Sequence, residues 1–263
     1  MKTAWTTLVR VGVLIAICAL SLQLYFAARI ALMRVVNPQS TTFQRSEAWR
    51  LMTDGNGRAW QQRWVDYAQI ATPLKRAVIA SEDAGFAEHS GVEWDALEKA
   101  WERNQKAEAR SEKINAQQQQ RSARAADGRG AAPKAATPVA PKIVGGSTIT
   151  QQLAKNLFLG GERSLARKGQ EFAITFMLEA LLPKQRILEI YLNSVEWGEG
   201  VFGADAAAQH YFRVDAARLG SAQAAQLAVL LPAPKRFEKR PGSPYVLGRA
   251  ATVAARMGAV ELP

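Results

Sequence analysis

Residues 11–28 read VGVLIAICALSLQLYFAA, eighteen positions without a charge, set between Arg10 and Arg29. At about 1.5 Å per residue such a run makes a helix of roughly 27 Å, close to the thickness of a bilayer's hydrocarbon core. Apolar residues continue at Ile30, Ala31, Leu32 and Met33, and Arg29 can snorkel toward the interface. The stretch predicts one transmembrane helix over 10–32. A cleaved signal peptide is the competing reading, but this apolar region is long for one and no clear small-x-small cleavage site follows. Lys2 and Arg10 precede the run and Arg29 and Arg34 follow it, so charge leaves the orientation undecided.

The rest of the 263-residue chain is long enough for one large or two small domains, and 48% hydrophobic with 22% charged residues fits a folded protein. Thirty-four Lys and Arg against 23 Asp and Glu give a net charge of +11. That balance suits a polyanionic partner: nucleic acid, anionic lipid or a phosphorylated substrate. Cys18 is the one cysteine, which excludes an intrachain disulfide, and with only His89 and His210 beside it a Cys/His zinc site is excluded too. No Walker run opens a helix. Gly198 to Gly203 has the GxGxxG letters but follows Val195-Glu196-Trp197 rather than a clear strand of a βαβ unit, which argues against a nucleotide enzyme.

Residues 105–142 differ from their surroundings. They hold eight basic and three acidic residues, and apart from alanine and proline their apolar residues are Ile114 and Val139. Such a stretch buries too little apolar surface to offset its ordering entropy. It reads as a flexible basic Ala/Gln/Pro-rich insertion whose first half, to about Arg124, can extend a helix. Its scattered charges favour a solvated segment over an arm for anionic head groups. The remainder, 43–104 and 143–263, looks helical. Thr148 with Gln151 three positions on is a capping-box pattern, Gly169–Leu182 is closed by Pro183, and Lys184–Asn193 is amphipathic. Ala222–Leu231 stops at Pro232 and Tyr245–Met257 at Gly258, while alternating strand patterns are scarce. The class is mainly α, with room for a small hairpin.

Four segments could carry chemistry: 81–91, 145–158, 163–171 and 184–193. In the second, Ser147, Gln151 and Lys155 fall at i, i+4, i+8, a polar stripe at a helix start that suits anionic oxygens. In the third, Arg167 and Lys168 lie four and three positions before Glu171, within reach of its carboxylate; a surface ion pair is the plain alternative. Glu82-Asp83 follows an apolar run, so one carboxylate can stand at a cleft rim with a raised pKa and serve as a base. For Asp83 itself a helix N-cap is the favoured reading, and for His89 a structural hydrogen-bonding role. Glu189 reads as an ion-pair or capping partner; Tyr191 and Asn193 read as packing and capping residues.

These segments, in this order, resemble the motifs of the family 51 peptidoglycan glycosyltransferases. The resemblance rests on Glu82-Asp83-x-x-Phe86-x-x-His89-x-Gly91 and on Gly146-Ser147-Thr148-Ile149-Thr150-Gln151-Gln152-x-x-Lys155-Asn156, and runs from about Ala77 to Phe237. It implies a lysozyme-like helical glycosyltransferase domain over 43–263 in the periplasm, with residues 1–9 in the cytoplasm and a single-pass anchor in the bacterial inner membrane. The chain contains no Ser-x-x-Lys and ends soon after this region, so it looks like the monofunctional form, without a transpeptidase domain. The insertion lies where relatives have a shorter connection.

The implied reaction polymerises lipid II into β-1,4-linked glycan with inversion at the donor anomeric carbon and release of undecaprenyl diphosphate. By resemblance Glu82 is the base, Lys155 and Arg163 face the leaving pyrophosphate, and Ser147, Gln151 and Asn156 bind donor phosphate or sugar. Glu171 is the family's second glutamate. Three roles stay open for it: holding a divalent ion (Mg2+ or Mn2+), orienting Arg167 or Lys168, or binding substrate. Asp83, Phe86 and His89 support the site, and no tightly bound cofactor is implied. The implied partners are lipid II, the lipid-linked glycan strand, inner-membrane lipids and other cell-wall synthesis proteins, with no nucleic acid. Trp94 and Trp101 could sit at the membrane interface or in a core. Two rival readings remain: a lysozyme-like hydrolase or lytic transglycosylase, which would have no pyrophosphate to stabilise, and an inactive membrane scaffold for wall synthesis.

Overall fold

The computed structural model describes residues 2–54, 60–127, 137–140, 145–162 and 164–263. The chain divides into two compact units, one formed by residues 1–92 with 148–263 and the other by 93–147. The class is mainly α. In the first unit α1 (Lys2–Leu32) and α2 (Thr42–Thr53) lead to a two-residue strand β1 (Gln61–Gln62) and α3 (Thr72–Glu82). The second unit is built on α4 (Trp94–Asp127). The chain then returns with α5 (Ile149–Phe158), α6 (Leu165–Leu181) and α7 (Lys184–Ser194), and a hairpin of β2 (Glu196–Gly198) and β3 (Val201–Phe202). Helices α8 (Ala204–Phe212), α9 (Ser221–Leu230), α10 (Pro234–Phe237) and α11 (Pro244–Arg256) complete it.

Local chemistry sets the helix ends. Thr41 with Gln44 and Thr148 with Gln151 form complete capping boxes at α2 and α5. Ser164 and Ser243 cap α6 and α11 by accepting from backbone amides three residues on. Pro183 separates α6 from α7, as its missing N–H requires. The helix ends read from sequence stand within a few residues of those observed. The discounted GxGxxG letters form the β2–β3 turn, with Gly200 at φ +79° and Gly203 at φ +84°. A Cβ at Gly203 would meet the Asn193 carbonyl oxygen at 2.8 Å, so this glycine lets the hairpin leave close beside α7. The strand β1 adds in parallel to β3, giving the order β1-β3-β2.

The core of the first unit joins α3, α5, α6, α7, α9 and α11. Ala77, Val78 and Ile79 of α3 are fully buried; α9 packs against both α3 and α11, and its Ala224, Ala225 and Ala228 are fully buried. Within 184–193, Asn193 and Glu189 bond to the scaffold. Asn193 Oδ1 accepts from Val65 N at 2.9 Å, and its Nδ2 donates to Val65 O at 2.9 Å, imitating a strand partner. Glu189 pairs with Arg186 at 2.7 Å and accepts from Tyr67 N at 3.0 Å.

Helix α1 carries the long apolar stretch expected. Ala4–Leu32 is long enough to cross a membrane and contains an 18-residue window of mean hydropathy 2.2, with most of its apolar side chains exposed. In the second unit, residues 105–127 continue the helix begun at Trp94, as the first half of the insertion was read to do. Further along that segment Val139 pairs with this helix: Asn115 donates to Val139 O at 3.1 Å and accepts from Val139 N at 2.8 Å. Residues 128–136 and 141–144 lie outside the described residues. Trp94 and Trp101 are 62% and 67% exposed, so the core reading of both is corrected: two turns apart on α4, they lie on one face, away from the unit's interior.

One buried charge cluster joins α2, β2 and α10. Glu196 lies under Lys235, whose Nζ is 3.6 Å away and also pairs with Glu47. Burial, only partly offset by Lys235, raises the Glu196 pKa from 4.5 to about 7. The folded state therefore holds this proton more tightly than the unfolded chain. The stability it adds is complete below about 4.5 and fades as pH rises through about 7. Glu196→Gln should flatten that dependence, gaining on the parent chain at about pH 8 relative to about pH 5 in urea unfolding. An unchanged slope between the two pH values would count against the assignment.

Candidate active site

The site is assembled around the end of α3. The apolar turn Ala77–Ile79 drives that helix into the core, and it stops at Asp83, whose φ of −163° breaks the helical path. Glu82, the last helical residue, is left half-buried with its carboxylate accepting from Gln152 Nε2 at 3.0 Å. Gln152 Oε1 in turn accepts from the Tyr191 hydroxyl at 2.9 Å. Tyr191 has no exposed surface, and burial, reinforced by the nearby Glu82 and Asp83 charges, holds its pKa well above the usual tyrosine value. It therefore stays a donor, which fixes the amide of Gln152 with its nitrogen toward Glu82. Burial raises the Glu82 pKa; hydrogen bonds from Gln152 and Ser81 oppose the shift and the neighbouring Asp83 charge adds to it.

Asp83 is not the N-cap of its own helix, correcting the reading from sequence. It is the C-cap residue of α3, and it caps a different helix from outside: Oδ2 accepts from Ile149 N, the first residue of α5, at 2.9 Å. Its Oδ1 lies 2.7 Å from His89 Nε2. Gly91 N donates to His89 Nδ1 at 3.1 Å, so the ring proton sits on Nε2 and points to Asp83. Both ring nitrogens of His89 are thus engaged within the loop. Thr148 Oγ1 donates to Gly91 O at 2.6 Å and closes the loop 83–91 onto the α5 N-terminus. Phe86 is fully buried beneath Lys184 Nζ, 4.5 Å from its ring centroid. Gly91, at φ +87°, packs so tightly that a Cβ would lie 2.8 Å from Thr175 Cγ2, one turn along α6 from Glu171. The same loop thus touches both helices that carry the remaining candidates.

The expected Ser147–Gln151–Lys155 stripe does not form. Helix α5 begins at Ile149 with Thr148 as its N-cap, so Ser147 stands before the helix, exposed at the end of the second unit. Gln151 is buried and its carbonyl oxygen is taken by Thr148 N at 3.1 Å in the capping box. Its Nε2 has no hydrogen-bond partner among the described residues. The polar face is instead Gln152, Lys155 and Asn156, at i, i+3 and i+4. Lys155 on it is exposed, with no ion-pair partner among the described residues. Gln152 and Tyr191 were missed as site residues. The capping box held the signal: once Gln151 is committed to the helix start, the next glutamine is the one whose amide can reach Glu82.

On α6 the carboxylate of Glu171 is buried, accepting from Arg167 Nη1 at 3.0 Å on one oxygen and from Lys168 Nζ on the other. Of the three roles left open, this arrangement matches orientation of the two cations. It does not suit Mg2+ or Mn2+, because a divalent ion would have to displace a guanidinium and an ammonium from the Glu171 carboxylate. Arg163 lies outside the described residues.

A helical domain with a half-buried carboxylate beside a cation-bearing helix face defines a carbohydrate-active enzyme of the transfer or hydrolysis type. The transglycosylase family model matches residues 50–117 and 127–258, and the chain belongs to that family, the peptidoglycan glycosyltransferases of family 51. The unmatched residues 118–126 fall within the segment read as an insertion. The chain is similar to the biosynthetic peptidoglycan transglycosylase of Burkholderia pseudomallei, 51% identical over 253 residues, covering 96% of this chain and 86% of that protein. It is also similar to those of Paraburkholderia xenovorans, 49% identical (96% and 92% covered), and Paraburkholderia phytofirmans, 48% identical (97% and 93% covered).

Asp83→Ala should leave Ile149 N and the His89 ring without their buried acceptor. The expected cost is about 1–3 kcal/mol of stability in denaturant unfolding, with Asp83→Asn losing less because one acceptor oxygen remains. Equal stability of the alanine variant and the parent would show that the bridge does not hold the loop to α5.

Proposed function

We propose that this protein polymerises lipid II, transferring a lipid-linked glycan to the 4-hydroxyl of the incoming unit with inversion. Glu82 takes the proton from that hydroxyl as the oxygen attacks the donor anomeric carbon. A C–O bond forms there while the C1–phosphate oxygen bond breaks on the opposite face, and the lipid diphosphate leaves with the bonding electrons. Fixed cations lower the barrier where that charge develops. Lys155 serves this role from the α5 face, joined by Arg163 as the family resemblance implies. Arg167 and Lys168, held by Glu171, supply further positive charge. Ser147, Gln151 and Asn156 are proposed to bind donor phosphate or sugar. The reading is carried by one observation: the Glu82 carboxylate is bonded to the same face of α5 that presents Lys155. A hydrolase has a use for the carboxylate but none for the cation.

Helix α1 is proposed to anchor the protein in the inner membrane by a single pass, with the catalytic domain on the periplasmic side. Both substrates are lipid-borne, so tethering the enzyme raises their effective concentration at the site. Its similarity to biosynthetic peptidoglycan transglycosylases supports the peptidoglycan substrate.

Glu82→Gln should lower kcat about 10²–10⁴-fold in a lipid II polymerisation assay. Turnover at the parent rate would refute the assignment. The base must be ionised to act, so the acid limb of kcat should lie above the ordinary glutamate range of about 4.3, in the direction that burial moves the Glu82 pKa. Glu171→Gln should weaken its hold on Arg167 and Lys168 and lower kcat less than Glu82→Gln does. A larger effect than that of Glu82→Gln would exchange the two roles.

A further inference from the structure

Helix α1 has two parts. From Trp5 to Leu22 its large apolar side chains are exposed, Leu14 and Leu20 by 60% and 61%. From Gln23 on, one stripe is docked: Phe26, Ile30 and Met33 are buried, Ile30 completely. The stripe begins with a reciprocal amide pair. Gln23 Nε2 donates to Gln170 Oε1 at 2.8 Å, and Gln170 Nε2 donates to Gln23 Oε1 at 3.0 Å. Gln170 lies on α6 between Lys168 and Glu171. Phe26 meets Phe158, the last residue of α5, edge-on at 5.1 Å. Arg186 Nε closes the far end on Met33 O at 2.8 Å.

The exposed part, residues 4–22, spans roughly 28 Å at about 1.5 Å per residue; with Arg10, six positions in, snorkelling back to the near head groups, it is enough for the hydrocarbon core by itself and shifts the span toward the N-terminus from the 10–32 expected. Gln23 then falls at the edge of the hydrocarbon, where an amide without partners is costly. That edge is also the level of lipid phosphates. The register is specific, because a slip of one turn would bring Ala19 or Ala27 opposite Gln170, and neither carries an amide.

We propose that the Gln23–Gln170 pair sets the depth of α6 against the bilayer, holding Arg167 and Lys168 at the plane of a lipid-linked pyrophosphate. Gln23 is then a positioning residue for the transfer reaction. The inference rests on the function proposed above.

The test uses the full chain in phospholipid vesicles with lipid II, comparing the parent, Gln23→Met, Gln170→Met and the double variant. Methionine keeps the side-chain length and favours the membrane, so membrane recovery should not change. Each single variant should lose about ten- to a hundredfold in kcat, the cost of misplacing a reacting group by about an ångström. The double variant should lose no more than either single one, because one interaction is removed in all three. A nitroxide at Leu165→Cys in a Cys18→Ser background should report a shifted or broadened depth for α6 in the variants. Parent-level kcat in Gln23→Met, multiplied losses in the double variant, or lost kcat with unchanged label depth would each overturn the proposal. A parent chain that does not polymerise lipid II would instead overturn the function on which it rests.

Discussion

The carboxylate of Asp83 accepts the first amide of α5 and the ring proton of His89, and so joins segments 66 positions apart in the chain. Everything else in the site inherits its position from that bridge. It ends α3 at the point where Glu82 can leave the core, and it sets the start of α5. From that start, the helical repeat decides that Gln152, Lys155 and Asn156 face Glu82's side while Gln151 turns inward. The aspartate is buried and its two oxygens are used by the scaffold, so its contribution is to placement.

The two glutamates show how environment divides roles between identical side chains. Glu82 has hydrogen-bond donors around it and, among the described residues, no cation paired with its carboxylate, and burial favours its protonated form. Such a group is basic enough to accept a proton. Glu171 is more deeply buried, yet two cations of its own helix occupy its oxygens. This ion pair engages one lone pair on each oxygen. It keeps a guanidinium and an ammonium in fixed directions, which suits a developing anion.

The anchor and the catalytic domain share structure. An apolar helix needs no polar partner to cross a bilayer, so Gln23 would be a liability in α1 were it not met by Gln170. The docked half of α1 contributes Ile30 and Met33 to the core of the first unit, and Arg186 bonds its last turn to α7. The helix that tethers the chain therefore also buttresses the two helices bearing the proposed substrate-binding cations.

Much was legible in the residues alone, because it depends on interactions between near neighbours. Eighteen uncharged positions dictate an apolar helix, Pro183 divides α6 from α7, and the Thr148–Gln151 spacing marks where α5 begins. The i, i+3 and i, i+4 offsets bring Lys168 and Arg167 to Glu171 for the same reason. Contacts across long separations were not legible. No local rule shows that Asp83 caps a helix in another part of the chain, that Gln152 rather than Gln151 meets Glu82, or that Tyr191 orients it. None shows that Gln23 finds Gln170 across 147 positions. The motifs named the chemistry, since residue types and short spacings are local properties. Which side chain faces which was decided by packing, because direction in space depends on how helices distant in sequence are laid against one another.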